Sequence, residues 1–107
     1  IYSKGMASVV LTKEVLERFQ ATDQLASLVV SVPGTVEGIL AWSMYVEQED
    51  GTFRVHLRSK GPTVNHIAQA FGGGGHTLAC GIPSVTRSQI LEVDAELKEA
   101  VKAFKKN

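Results

Sequence analysis

Between Phe71 and Gly81 the chain reads Phe-Gly-Gly-Gly-Gly-His-Thr-Leu-Ala-Cys-Gly. A basic loop, Arg58-Ser59-Lys60-Gly61, lies upstream. Glycine loses more backbone entropy on folding than any other residue, so four in a row need a reason. Packing alone is not expected to need them. The reason read here is close approach of backbone N–H groups to a ligand. Arg58, Lys60 and His76 nearby make that ligand an anion. Arg58 can grip a phosphate with two parallel hydrogen bonds, and Lys60 can add a point charge. His76, at the mouth of the glycine run, can donate to phosphate. The phosphate-binding set is therefore Arg58, Ser59, Lys60, Gly73, Gly74, Gly75 and His76.

Two phosphate motifs are excluded. No Lys-Ser or Lys-Thr follows the glycines at Walker A spacing. The glycines follow a helical pattern and do not open one after a strand, which excludes the Rossmann fingerprint. His56 and His66 have no metal-ligand spacing with His76. His56 reads as a sheet-face residue, His66 as an exposed helix residue, and Cys80 as a small buried hydrophobe. Trp42 reads as core, and Tyr45 as a weak stacking candidate. Glu14, Glu17, Glu92, Asp94 and Glu96 fall on solvated helix faces. With no nucleophile–base set and no acidic metal cluster, no catalytic residue is assigned. The domain is expected to hold a phosphate without cleaving it.

The elements that must position these residues follow from periodicity. Residues 6–11 form an apolar, β-branched strand. Thr12 caps a short helix through Phe19, with Glu14 in its first turn. Leu25, Leu28, Val29 and Val32 predict a second helix, stopped by Pro33-Gly34. Residues 38–46 are nearly all apolar, as in a strand covered on both faces. Asp50-Gly51 signals a two-residue hairpin turn. That turn sets Glu47 opposite Arg54, Tyr45 opposite His56 and Ser43 opposite Arg58. A third helix begins at Pro62-Thr63 and buries Val64, Ile67, Ala68 and Phe71. Its N-terminus would help hold an anion near Ser59 and Lys60. Residues 77–85 include a strand that Pro83 confines to an edge or cuts short. Thr86-x-x-Gln89 is a capping box for a last helix to about Phe104. Ile90, Val93, Leu97, Val101 and Phe104 face inward on it. The fold class is α/β: one domain over 1–107, with a mixed sheet of about four to five strands and packed helices.

Composition narrows the class. The chain has 107 residues, 44% apolar and 21% charged, with formal net charge zero. A duplex-binding domain carries a clear basic excess, so any anion site here is local. One cysteine forms no internal disulfide, which fits a reducing, cytoplasmic setting. No apolar run approaches the ~18–20 residues of a membrane span. The chain opens Ile-Tyr-Ser-Lys-Gly, which reads as sequence from inside a longer protein.

Arg58-Ser59-Lys60-Gly61, Val64-Asn65-x-Ile67-Ala68 and Gly-Gly-Gly-Gly-His-x-x-Ala-x-Gly at 72–81 resemble the C-terminal DHH-associated domain of DHH phosphoesterases. The resemblance is strongest to the oligoribonuclease/pAp-phosphatase branch of nano-RNase A type, often described as exopolyphosphatase-related or RecJ-like. It implies an N-terminal DHH domain, absent from this chain, that binds two manganese ions and activates water. It implies substrate contacts from Gly73 to His76 and recognition of a terminal phosphate by Arg58 and Ser59, with Lys60 a weaker candidate. The implied partners are short 5′-phosphorylated oligonucleotides or nucleotides, the DHH domain, and a homodimer mate, with no membrane. Alternatives are a cyclic dinucleotide phosphodiesterase, a RecJ-like single-strand exonuclease, and a non-enzymatic tRNA-binding or dimerisation domain as in alanyl-tRNA synthetases.

Overall fold

Alternation of apolar and polar residues along Phe53–Ser59 puts Phe53, Val55 and Leu57 on one side of a sheet and Arg54, His56 and Arg58 on the other. The computed structural model describes residues 2–3, 5–18 and 37–105. The helix expected over 22–32 lies outside them. The elements are β1 (Tyr2–Ser3), β2 (Met6–Leu11), α1 (Lys13–Arg18), β3 (Ala41–Glu47), β4 (Phe53–Ser59), α2 (Asn65–Ala70), β5 (Gly74–His76), β6 (Ala79–Val85) and α3 (Arg87–Lys105). They build the expected mixed α/β sheet, in the order β1-β2-β3-β4-β6-β5. Short edge strands β1 and β5 bring it to six strands. Among the described strands, β2 and β3 pair in parallel and the other pairs are antiparallel. No helix among the described residues is long and apolar enough to cross a membrane.

The core lies on the Phe53–Val55–Leu57 side. Tyr45, Cys80, Ile82 and Val85 extend it across the sheet. Ile67 and Ala68 of α2, and Val93, Leu97 and Val101 of α3, close it. Phe104 departs from the inward pattern and is 43% exposed. Its ring lies against Gly61, where an added Cβ would meet Phe104 Cε1 at 2.8 Å. On the opposite face Met44 packs with Val9, Leu11 and Val46. The strand expected over 38–46 is thus buried on both sides.

Asp94 departs from the solvated-carboxylate expectation. It sits on the sheet side of α3 and accepts hydrogen bonds from Ser8 Oγ at 2.7 Å, Ser43 Oγ at 2.7 Å and the Tyr45 hydroxyl. Ser43 and Tyr45 are fully buried. Burial first, and the Asp94 charge second, push the Tyr45 phenol far above its usual range. One carboxylate thereby ties α3 to both β2 and β3. Thr86 and Gln89 form the expected capping box: Thr86 N–H donates to Gln89 Oε1 at 2.7 Å and Gln89 N–H to Thr86 Oγ1 at 3.4 Å.

The β3–β4 hairpin differs from expectation by one residue. Gln48 N–H donates to the Thr52 carbonyl at 2.8 Å and Gly51 N–H to the Gln48 carbonyl at 3.0 Å. Gly51, at φ +87°, ends a three-residue loop of residues 49–51. Asp50 Oδ1 braces it by accepting from Thr52 Oγ1 at 2.6 Å and Thr52 N–H at 3.0 Å. The register becomes Glu47–Phe53, Val46–Arg54, Tyr45–Val55, Met44–His56, Ser43–Leu57 and Trp42–Arg58. Glu47 is therefore no cross-strand partner of Arg54. Its carboxylate accepts from Lys13 N–H at 2.8 Å and faces Arg87 Nη2 at 3.9 Å. Arg87 in turn lies 5.3 Å over the Phe53 ring.

The glycine run also has more structural purpose than expected. Gly72 N–H donates to the Gln69 carbonyl and Gly73 N–H to the Ala68 carbonyl, closing α2 in a Schellman motif with Gly72 at φ +91°. A Cβ on Gly73 would run into the Gly81 carbonyl oxygen. A Cβ on Gly75, at φ +138°, would lie 2.7 Å from Cys80 Cα. Gly72 and Gly74 have nothing within 4 Å of an added Cβ, and of these two only Gly74 lacks a positive φ. The expectation that packing needs no such run is corrected: three of the four glycines let the chain turn and lie against β6.

Gly73→Ala and Gly75→Ala are expected to lower stability by about 2–3 kcal/mol through backbone overlap and strain. Gly74→Ala should stay within about 0.5 kcal/mol of the parent chain. Asp94→Ala leaves buried hydroxyls without an acceptor and should cost about 2–3 kcal/mol, whereas Tyr45→Phe should cost about 1 kcal/mol. Urea unfolding curves on the five variants check all these values.

Candidate anion-binding face

The face of the sheet opposite α2 and α3 is organised by cross-strand rungs. Directly paired residues of neighbouring strands point the same way. One rung runs Trp42–Arg58–Ala79–His76, and the next Met44–His56–Gly81–Gly74. The glycines thus fold back beside the strand that carries Arg58. Arg58 and His76 share one face with only the small Ala79 between them, two strand spacings or about 9–10 Å apart.

Arg58 is half-buried, and its Nη1 donates to the carbonyls of Leu57 at 2.9 Å and Cys80 at 3.2 Å. These bonds orient the guanidinium. Its Nε and Nη2 hydrogens have no partner among the described residues and remain available to a ligand. His76 is exposed on the edge strand.

Ser59 and Lys60 are placed differently. Ser59 pairs with Ala41 and takes the core-side alternation of β4. Its hydroxyl donates to the Pro62 carbonyl and accepts from Gly61 N–H at 3.1 Å, tying the loop to itself. Lys60 lies just beyond β4, with its N–H on the Leu40 carbonyl at 2.7 Å. The helix expected from Pro62 begins only at Asn65 and is six residues long. It brings no N-terminus to Ser59 or Lys60. Pro62 and Val64 are buried, and Val64 N–H donates to the Thr77 carbonyl at 2.9 Å, which holds these residues in the loop.

The structure adds two residues that the site read from sequence lacks. A cleft of about 540 Å³ is lined by Arg54, His56, Gly72, Gly73, Gly74 and Gly81, together with apolar neighbours. That volume suits a small ligand. Arg54 is exposed and His56 half-buried. Burial first, then Arg58 and Arg54, hold the His56 pKa below 6.5, so the imidazole is mainly neutral at pH 7. The signal was present in the alternation of 54, 56 and 58. The wrong turn length hid it by assigning Arg54 to Glu47.

A second cleft of about 530 Å³ between α2 and α3 carries Glu96 and Glu99, which suit an anion poorly. Cys80 is 5% exposed, and burial raises its thiol pKa, opposing thiolate formation. Among the described residues no group of three or more His, Cys, Asp or Glu side chains can hold a metal ion. The first face can hold an anion between a fixed guanidinium, an imidazole and a glycine-lined floor.

The chain is similar to several known proteins. The chain is 38% identical over 102 residues to a protein of Streptococcus mutans named a probable bifunctional oligoribonuclease and PAP phosphatase NrnA; the match covers 95% of this chain and 33% of the relative. It is 40% identical over 98 residues to the bifunctional oligoribonuclease and PAP phosphatase NrnA of Bacillus subtilis, covering 92% of this chain and 31% of the relative. The chain thus spans about a third of the length of these curated relatives. A crystal structure of an exopolyphosphatase-related protein from Bacteroides fragilis superposes with a TM-score of 0.71 at 25% identity, over 92% of this chain and 29% of that one. The family profile described as the DHHA1 domain matches residues 5–106, and the chain belongs to that family.

Proposed function

We propose that this domain is the substrate-binding half of a manganese-dependent phosphoesterase that hydrolyses short 5′-phosphorylated oligonucleotides and pAp. The observation that carries the reading is the Arg58–Ala79–His76 rung beside the glycine-lined cleft. A guanidinium pinned by two carbonyls is preorganised, so little side-chain entropy is lost when it meets a phosphate. His76 approaches from the edge strand, and Gly73–Gly75 let the ligand lie close to the backbone. In this reading Ser59 shapes the loop that follows Arg58, and Lys60 adds charge at its rim. The names of the relatives support the substrate class.

The chemistry of hydrolysis belongs, in this reading, to a separate DHH domain that carries the metal ligands. This domain grips the nucleotide and presents the scissile bond to it. The buried thiol suits the reducing cytoplasm.

In a protein joining this domain to its DHH partner, Arg58→Gln and His76→Gln are each expected to lower kcat/KM on pAp by about 10- to 100-fold, the range for hydrogen bonds to a charged group. Metal content should stay at the parent level. Gly74→Ala should weaken substrate binding while leaving the melting temperature within a few degrees, because it fills the cleft without straining the fold. Parent-level activity in both the Arg58 and His76 variants would remove these roles.

A further inference from the structure

The anion contacts assigned above lie on one rung, whereas the cleft opens one rung further along β4. Its charged wall is Arg54 and His56. Among the described residues neither side chain makes a hydrogen bond or ion pair. The carboxylate that could have neutralised Arg54, Glu47, is held on the other face by Lys13 and Arg87. Among the described residues no carboxylate lines the cleft. Arg54, His56 and Arg58 thus stand in a row on one strand face with nothing negative between them. Met44 and Gly81 flank His56 on its rung, and neither brings charge. Such a row offers an anion two guanidinium charges and an imidazole donor between them.

We propose that Arg54 and His56 form a second phosphate subsite, so that the domain distinguishes nucleotides bearing two phosphates from those bearing one. This rests on the reading of Arg58 and His76 as the first phosphate site. Successive same-face residues of a strand stand about 6.6–6.8 Å apart. That spacing is comparable to the separation of the 5′- and 3′-phosphates across one ribose. Gly81 and Gly74 extend from His56 as a lane without side chains, open enough for the sugar to cross. Arg54 supplies a permanent charge. His56 supplies a neutral donor that gains a proton as a phosphate arrives, because an adjacent anion favours the imidazolium.

The test compares adenosine 3′,5′-bisphosphate, adenosine 5′-monophosphate and the 5′-phosphorylated dinucleotide pApA in calorimetric titrations of the 107-residue chain near 0.1 M salt. The bisphosphate should bind about 10-fold tighter than the monophosphate, the yield of one added charge-assisted contact. Arg54→Gln and His56→Gln should each bring that ratio to within about 2-fold by removing that contact. In NMR titrations the His56 pKa should rise with bisphosphate and stay low with monophosphate. A preference shared by pApA supports an internal phosphate as the second anion; a preference confined to the bisphosphate supports a terminal one. A ratio near one in the parent chain, or a ratio preserved in both variants, overturns the subsite. Monophosphate binding that weakens in Arg58→Gln upholds the first site even then. If none of the three ligands binds, or monophosphate binding ignores Arg58→Gln, the underlying reading fails as well.

Discussion

The close approach of two backbones organises this domain. β5 can lie on β6 only because Gly73 and Gly75 have no Cβ to drive into Gly81 and Cys80. That contact sets His76 opposite Ala79, and Ala79 is opposite Arg58. The same approach leaves the floor of the cleft without side chains. Any L-residue larger than glycine at these positions would push the edge strand away and separate the two groups that share the rung. The same glycines therefore shape the backbone contact and line the cleft, so a change at Gly73 disturbs both, whereas Gly74 lines the cleft with open space beside it.

The two faces of the sheet divide the remaining work. The core face is sealed by α2 and α3, and by the Asp94 carboxylate that gathers hydroxyls from β2 and β3. A buried polar group is tolerated when its partners are satisfied, and here one acceptor satisfies three donors. The other face keeps β4's basic alternate residues. With zero net charge over the chain, attraction for an anion depends on that local segregation and not on overall charge. Glu47, the nearest carboxylate by sequence logic, is turned to the core side and kept occupied.

Loop length decides that segregation. Side chains alternate with period two, so a one-residue change in hairpin register exchanges every neighbour along the pair. The three-residue loop ending at Gly51 places Arg54 beside Val46 and His56 beside Met44. The chain thereby presents a guanidinium and an imidazole next to the glycine cleft, where a two-residue turn would have set a carboxylate across from the same arginine.

The amino-acid sequence by itself determined the mixed α/β class, strand 6–11, the Thr86–Gln89 capping box, the inward Val93, Leu97 and Val101 of the last helix and the family. These rest on local chemistry: periodic burial, a capping pair three residues apart, and a motif contiguous between Arg58 and Gly81. Tertiary structure alone decided which basic residues share a face. Asp50-Gly51 signals a hairpin under either turn length, and only the hydrogen bonds from Gln48 and Gly51 select between them. Asp94 lies on a polar-looking helix, and its partners come from strands more than fifty residues distant in sequence or nearly so. Ser59 reads as a phosphate donor until the loop's own backbone occupies its hydroxyl. Sequence records residue type and spacing along the chain, whereas rungs are set by register across strands, and register is a property of the folded sheet.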